Sequence, residues 1–254
     1  YDFLKYCVEK DYAKDMTIEY NTNLTNIQPR ALELWLNFKQ VQFGISMDGI
    51  GPTLEYIRNP LKTKLMEKNL AKLDEVGLEK LNFRAWIAFT IGAMNAFHFT
   101  DFLKWKIEQD FAIISPMLKN NPKPFINVHP IHRPFELSTR FLPKDVKDQV
   151  RDKWEAFRTE FKTDIVNNIN FHSLAKKNPM AMGSIKPANK EWAIMKMDQL
   201  LDSNLKFMYD EDWFTEENNK KFWNYNGKLD DIRKEHMQES LPELYDAMLK
   251  YRVE

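Results

Sequence analysis

The chain has 254 residues with 37 basic and 37 acidic side chains, 43% hydrophobic residues, seven glycines and a single cysteine, Cys7. One thiol excludes an internal disulfide framework, a multi-cysteine zinc site and a protein-held iron–sulfur cluster within these residues. The balanced charge argues against broad nucleic-acid or anionic-membrane binding, which relies on an excess of Lys and Arg.

The sequence opens without methionine and already inside a helical pattern, with Leu4, Cys7, Val8 and Tyr12 on one face and no capping residue ahead of them. Residues before Tyr1 are therefore expected, and Cys7 reads as a small core residue. Tyr1-Asp2-Phe3-Leu4-Lys5 lacks a basic region followed by an apolar signal core, and no run approaches the roughly 20 apolar residues that cross a bilayer. A cytoplasmic protein without a membrane partner is the expectation.

Met16 to Tyr20 favours a strand and ends in the polar turn Asn21-Thr22-Asn23, after which Pro29 to Phe38 spaces Leu32, Trp35 and Leu36 as a helix does. Val41 to Ser46 forms the next strand candidate, and Leu61 to Val76 the next helix, with Gly77 as its expected C-cap. Phe83 to Ile91 reads as a doubly buried strand followed by a helix over Phe97 to Phe111, and Pro124 to His129 as a fourth strand. Strands alternating with helices imply parallel pairing through right-handed crossovers. From Pro143 onward the pattern is helical only, over Asp145 to Phe161 and Glu191 to Phe207, with short helices and loops from Trp213 to Tyr251. The expected architecture is α/β over residues 1–142 and a helical region over 143–254. Among the methionines, Met180, Met182, Met195 and Met197 are expected to fill core gaps.

Ligands of parallel α/β folds bind at the carboxyl ends of the strands, so the polar residues there are the candidates: Asn21, Thr22 and Asn23, then Ser46 and Asp48, then Thr90 and Asn95, then His129 and His132. Gly44, Gly49 and Gly51 fall within eight residues of a glycine-poor chain. That concentration suits close approach of a ligand and equally suits a tight strand-to-helix turn. His129 and His132 suit a metal, a substrate cavity or no role at all, but residues three apart on a strand face opposite sides and no nearby carboxylate completes a ligand set, so no metal is expected. Asn95, His129 and His132 are the candidates for a substrate cavity.

Phe43-Gly44-Ile45-Ser46-Met47-Asp48-Gly49, followed by Glu55-Tyr56-Ile57-Arg58 and by Asn69-Leu70 with Leu73 and Gly77, resembles the middle of radical SAM enzymes, above all the subgroup with a shortened "twitch" auxiliary region. Tyr20-Asn21-Thr22-Asn23 is similar to that family's preceding strand, and Phe89 to Asn95 with Phe102-Leu103 and Trp105 to its next strand, loop and helix. Phe222-Trp223, Leu229-Asp230, Arg233 and Leu241-Pro242-Glu243-Leu244 resemble its tail. The resemblance covers most of residues 1–145 and, more loosely, 220–245.

It implies a partial (β/α) barrel, matching a (β/α)₆ radical SAM barrel from its third strand onward, with S-adenosylmethionine across the strand ends. Ser46 and Arg58 would hold the cofactor's carboxylate, guanidinium gripping carboxylate in a two-pronged geometry. Thr22, Asn23 and Asp48 would line the same rim. The family's three cysteines in Cys-x-x-x-Cys-x-x-Cys spacing, which hold its 4Fe–4S cluster, are absent, as is its Gly-Gly-Glu-Pro segment. The complete protein would use S-adenosylmethionine and the cluster, whereas this chain alone is expected to bind neither and to be inactive. The alternative is a non-catalytic scaffold built on a half-barrel. In either case the exposed strand edge is expected to be buried against a second copy, a rearranged segment or the chain's own helices.

Overall fold

A computed structural model describes residues 1–178 and 186–252, so Met180 and Met182 lie outside the described residues. Four strands, β1 (Thr17–Thr22), β2 (Gln40–Ser46), β3 (Phe83–Ile91) and β4 (Asn127–Pro130), form one sheet in sequential order, every pair parallel. Helices α1 (Asp2–Glu9), α2 (Pro29–Trp35), α3 (Gly51–Ile57), α4 (Thr63–Lys80) and α5 (Phe99–Glu108) precede or connect the strands. Sequential parallel order with right-handed crossovers places every connecting helix on one side of the sheet. The packing agrees: Trp35 of α2 lies edge-on to Phe43 and Phe83, and Phe102 of α5 lies 5.0 Å from Phe89, centroid to centroid. Val41, Phe43 and Ile45 share that buried face with Phe83, Ala85, Ile87, Phe89 and Ile91. The opposite face carries Gln42, Ser46, Arg84, Trp86, Thr90, Asn127 and His129, all half-buried or exposed.

Helix α4 runs through Gly77 to Lys80 and ends on Leu81 in the left-handed conformation, so Gly77 is not the cap the sequence suggested. A Cβ there would lie 3.1 Å from that of Phe83 and 3.2 Å from the Ile113 side chain, and glycine lets the helix approach the sheet. The fourth sheet position is shared by two segments: Ile114 bridges Ala85, Ser115 donates its N–H to the Ala85 carbonyl at 2.8 Å, and β4 takes over from Ala88. Asp74, buried on α4, anchors the first segment by accepting the N–H groups of Ala112, Ile113 and Ile114 at 3.0, 2.7 and 3.2 Å. Beside it the buried Lys106 ammonium donates to the Ser115 carbonyl at 3.0 Å, and burial lowers its pKa to about 8.

The helical region comprises α6 (Lys144–Glu160), which passes through a π turn (Phe161–Ile165) into α7 (Val166–Asn168), then α8 (Ser173–Lys177), α9 (Lys190–Asp210), α10 (Glu216–Arg233), α11 (Met237–Ser240) and α12 (Pro242–Leu249). Side chains of Asn189 and Thr215 cap α9 and α10 by accepting N–H groups of Trp192 and Asn218, both at 3.1 Å. The tail expected as short helices thus contains an 18-residue one. Met197 is buried as expected, whereas Met195 is 43% exposed and fills no core gap. One continuous hydrophobic core runs from Leu4 and Cys7 to Met248, with Trp154 of α6 fully buried and donating its indole N–H to the Ala96 carbonyl at 2.9 Å. Among the described residues no helix is long and apolar enough to cross a membrane.

Truncating Asp74 leaves three consecutive buried amides without an acceptor. Asp74→Ala is therefore expected to lower stability by about 3 kcal/mol or more, read from the urea midpoint at neutral pH.

Candidate functional site

The chain leaves β2 at Ser46, continues through Met47, whose N–H donates to the Ala88 carbonyl at 3.0 Å, and reaches Asp48. Asp48 is buried and fully engaged. Its Oδ1 accepts the Thr90 N–H at 2.7 Å, its Oδ2 accepts the Arg58 Nε–H at 2.6 Å, and its carbonyl accepts from Asn95 Nδ2 at 3.0 Å. Gly49 (φ 155°) and Gly51 (φ 56°) then turn the backbone into α3, with a proline at the second helical residue as helices tolerate. At Gly49 a Cβ would stand 3.0 Å from the His98 ring, while at Gly51 nothing lies within 4 Å and only the left-handed backbone calls for glycine.

Arg58 follows the last residue of α3, and its side chain is 27% exposed. Asp48 uses only the Nε edge of the guanidinium; Nη1 and Nη2 make no hydrogen bond among the described residues. The Ser46 hydroxyl, half-buried on the open face of the sheet, is likewise without a partner among them. Gly44, two residues earlier on that face, has Asn21 and Trp86 lying across it: a Cβ would meet Asn21 Oδ1 at 2.5 Å and the Trp86 ring at 3.4 Å.

Other predicted rim residues serve the fold. Thr22 Oγ1 accepts the N–H of Leu24, which is left-handed, and Asn23 Oδ1 accepts the Thr25 N–H and hydroxyl. Asn69 of α4 holds the same turn by donating to the Leu24 carbonyl at 2.7 Å. Asn95, expected to line a substrate cavity, is 2% exposed instead: its Nδ2 bridges the Asp48 and Thr90 carbonyls and its Oδ1 accepts the Gly92 N–H at 2.8 Å, so no group is left for a ligand. His129 pairs in register with Thr90 and stands exposed on the open face, its ring nitrogen 2.6 Å from Asn127 Nδ2. His132 lies beyond the strand with its ring edge-on to Phe207 of α9, 5.0 Å between centroids. The two histidines are thus not brought together, and among the described residues no group of three or more His, Cys, Asp or Glu is placed to hold a metal ion.

The sequence reading missed His98. Its Nε2 accepts the Ile50 N–H at 3.0 Å, its ring packs on Gly49, and burial lowers its pKa from the ordinary histidine value, against a pull from Asp101 in the other direction. A single histidine at a helix start, 48 residues from its partner, carries no periodic or motif signal.

Comparison with models of protein families, with curated proteins and with solved structures finds no match for this chain.

Gly51→Ala is expected to cost about 1 kcal/mol, the price of a left-handed alanine, and Gly51→Asn less, since Asn tolerates that conformation. Thermal unfolding of both variants checks the order.

Proposed function

We propose that this chain carries the later strands of a radical SAM barrel and that the edge after β2 receives the amino-acid end of S-adenosylmethionine. The observation that carries this reading is Arg58, oriented by Asp48 through Nε while Nη1 and Nη2 make no hydrogen bond among the described residues; Ser46, two residues before Asp48 at the strand end, leaves its hydroxyl without a partner among them. A guanidinium so held presents a two-pronged donor edge, the form that recognises a carboxylate. The sequential parallel sheet with its helices on one side supports the barrel interpretation.

In the radical SAM family the bound cofactor is the source of radical chemistry. The residues present fit its carboxylate and do not fit the cluster: Cys7 is the lone thiol and is buried in α1. No redox step is therefore assigned to these residues, and in this proposal the cluster ligands lie outside them. The part of the chain is to orient: Asp48 fixes Arg58, Arg58 and Ser46 bind the carboxylate, and the open face with Thr90 and His129 meets the rest of the ligand or its substrate.

Calorimetric titration tests the assignment. The carboxylate-binding edge formed by Arg58 and Ser46 replaces the expectation that this chain alone binds no cofactor: S-adenosylmethionine is expected to bind it saturably and to lose about tenfold or more in affinity in Arg58→Ala, the loss of a charge-assisted contact, while an analogue lacking the carboxylate binds both proteins alike. Absence of saturable binding, or binding indifferent to Arg58→Ala, overturns the reading. That outcome favours a non-catalytic scaffold, to which the lone cysteine and the unpaired outer edge of β1 also point: no described strand pairs with that edge, and a second copy would cover it.

A further inference from the structure

We infer that His98 is a positioning residue for Arg58: by accepting the Ile50 N–H it fixes the start of α3, the short helix whose far end presents the guanidinium. The inference rests on the rim reading above for its consequence in binding, but its geometry stands apart from it. Ile50 is the N-cap of α3, in extended conformation, and its N–H has no other acceptor among the described residues. Helix α3 has seven residues and no side-chain cap; this bond ties the residue at its start to the start of α5, while Thr53 ties its first turn to the Ser240 carbonyl. From Ile50 the helix leads straight to Arg58, whose N–H donates to the Leu54 carbonyl at 2.9 Å. Asp48, two residues before Ile50, holds the Nε edge of the Arg58 guanidinium. Asp48 stays held by Thr90 and Asn95, and α3 by Ser240, Asp230 and Arg233 through Thr53 and Tyr56, so loss of the Ile50 anchor loosens the turn that joins these two held parts and with it the fit of Arg58 on Asp48.

The bond requires a neutral imidazole with its proton on Nδ1, because a protonated ring has no acceptor to offer. Nδ1 lies 3.9 Å from Asp101 Oδ2. Asp101 is itself held by Lys153 of α6 at 2.8 Å, and Lys153 also bonds Glu243 of α12 at 2.7 Å. Glu239 of α11 lines the same cleft. The imidazole lines a cleft of about 240 Å³ between Ile50, Met94, Phe97 and Leu241, so protons reach it from solvent. Burial disfavours the charged ring, and Lys153 adds to this while Asp101 and Glu243 oppose it, with a net lowering of its pKa. With the folded value below the unfolded one, the anchor is intact above the ordinary histidine range and is lost as pH falls through the lowered value.

Two measurements on the whole chain test this. In ligand-free protein, the Ile50 amide and Arg58 Nε–H resonances are expected to shift together with the His98 imidazole titration and to stay flat over the same pH range in His98→Gln, whose amide oxygen supplies an acceptor that does not titrate. In S-adenosylmethionine binding, His98→Ala is expected to weaken affinity about fivefold at pH 7.5, whereas His98→Gln stays within about twofold and loses the wild-type fall on the acid side. An Arg58 signal that ignores the His98 titration, or an acid-side fall that persists in His98→Gln, overturns the inference. If S-adenosylmethionine does not bind wild-type protein at all, the rim reading fails, and the Ile50 and Arg58 resonances still decide the role of His98.

Discussion

The Asp48 carboxylate is the knot of this structure. It is buried, and each of its oxygens has a different charge-assisted partner: the backbone of β3 through Thr90, and the helix after β2 through Arg58. A buried carboxylate stripped of such partners is strongly unfavourable, so the two bonds are mutually dependent, each making the other's geometry worth keeping. The Asp48 carbonyl adds a third link through Asn95, which in turn closes the loop after β3 on Gly92. The ends of β2 and β3 and the start and finish of α3 are thus one hydrogen-bonded unit, and anything that binds at the strand ends meets a preformed surface.

Polar residues at those ends fall into two groups that sequence alone does not separate. Thr22, Asn23, Asp48 and Asn95 satisfy backbone or side-chain groups of the fold, whereas Ser46 and His129 lie on the open face of the sheet and the Arg58 terminal nitrogens have no partner among the described residues. The distinction is one of partners: a short hydroxyl or amide at a turn has a backbone group within reach two or three residues away, and it takes it.

Much of the fold was legible because it depends on local periodicity. Alternation at Val41, Phe43 and Ile45 and the apolar run from Phe83 to Ile91 mark strands, and the structure places both within a residue or two of those bounds, but the second, expected to be buried on both faces, is buried on one only, with Arg84 exposed and Trp86 and Thr90 half-buried on the other. What was not legible depends on distant partners. Gly77 looks like a stop but is an approach point for Phe83 and Ile113. β4 begins at Asn127 because Ile114 and Ser115 already occupy the first half of its place beside β3, a pairing across about thirty residues that no window of sequence contains. Helix α10 buries Asn219 and Asn226 alongside Phe222, so hydropathy marks only part of its inner face. Sequence pointed to the loop around Asp48 through its glycines and to Arg58 through a family resemblance, while His98, whose role is set by a backbone N–H, was invisible to both approaches.

Helix α3 is also clamped from the far end of the chain. Arg233 donates to the Tyr56 carbonyl, the Tyr56 hydroxyl donates to Asp230, and Thr53 donates to the Ser240 carbonyl, across separations of 177, 174 and 187 residues. Loops of that length close late in folding, after the locally wound β/α units have formed. On the ribosome the sheet can therefore assemble well before α3 is locked, and the surface that displays Arg58 is completed only once residue 240 has emerged. A nascent or prematurely terminated chain would hold the scaffold without the finished site, which ties the quality of the site to the completeness of synthesis.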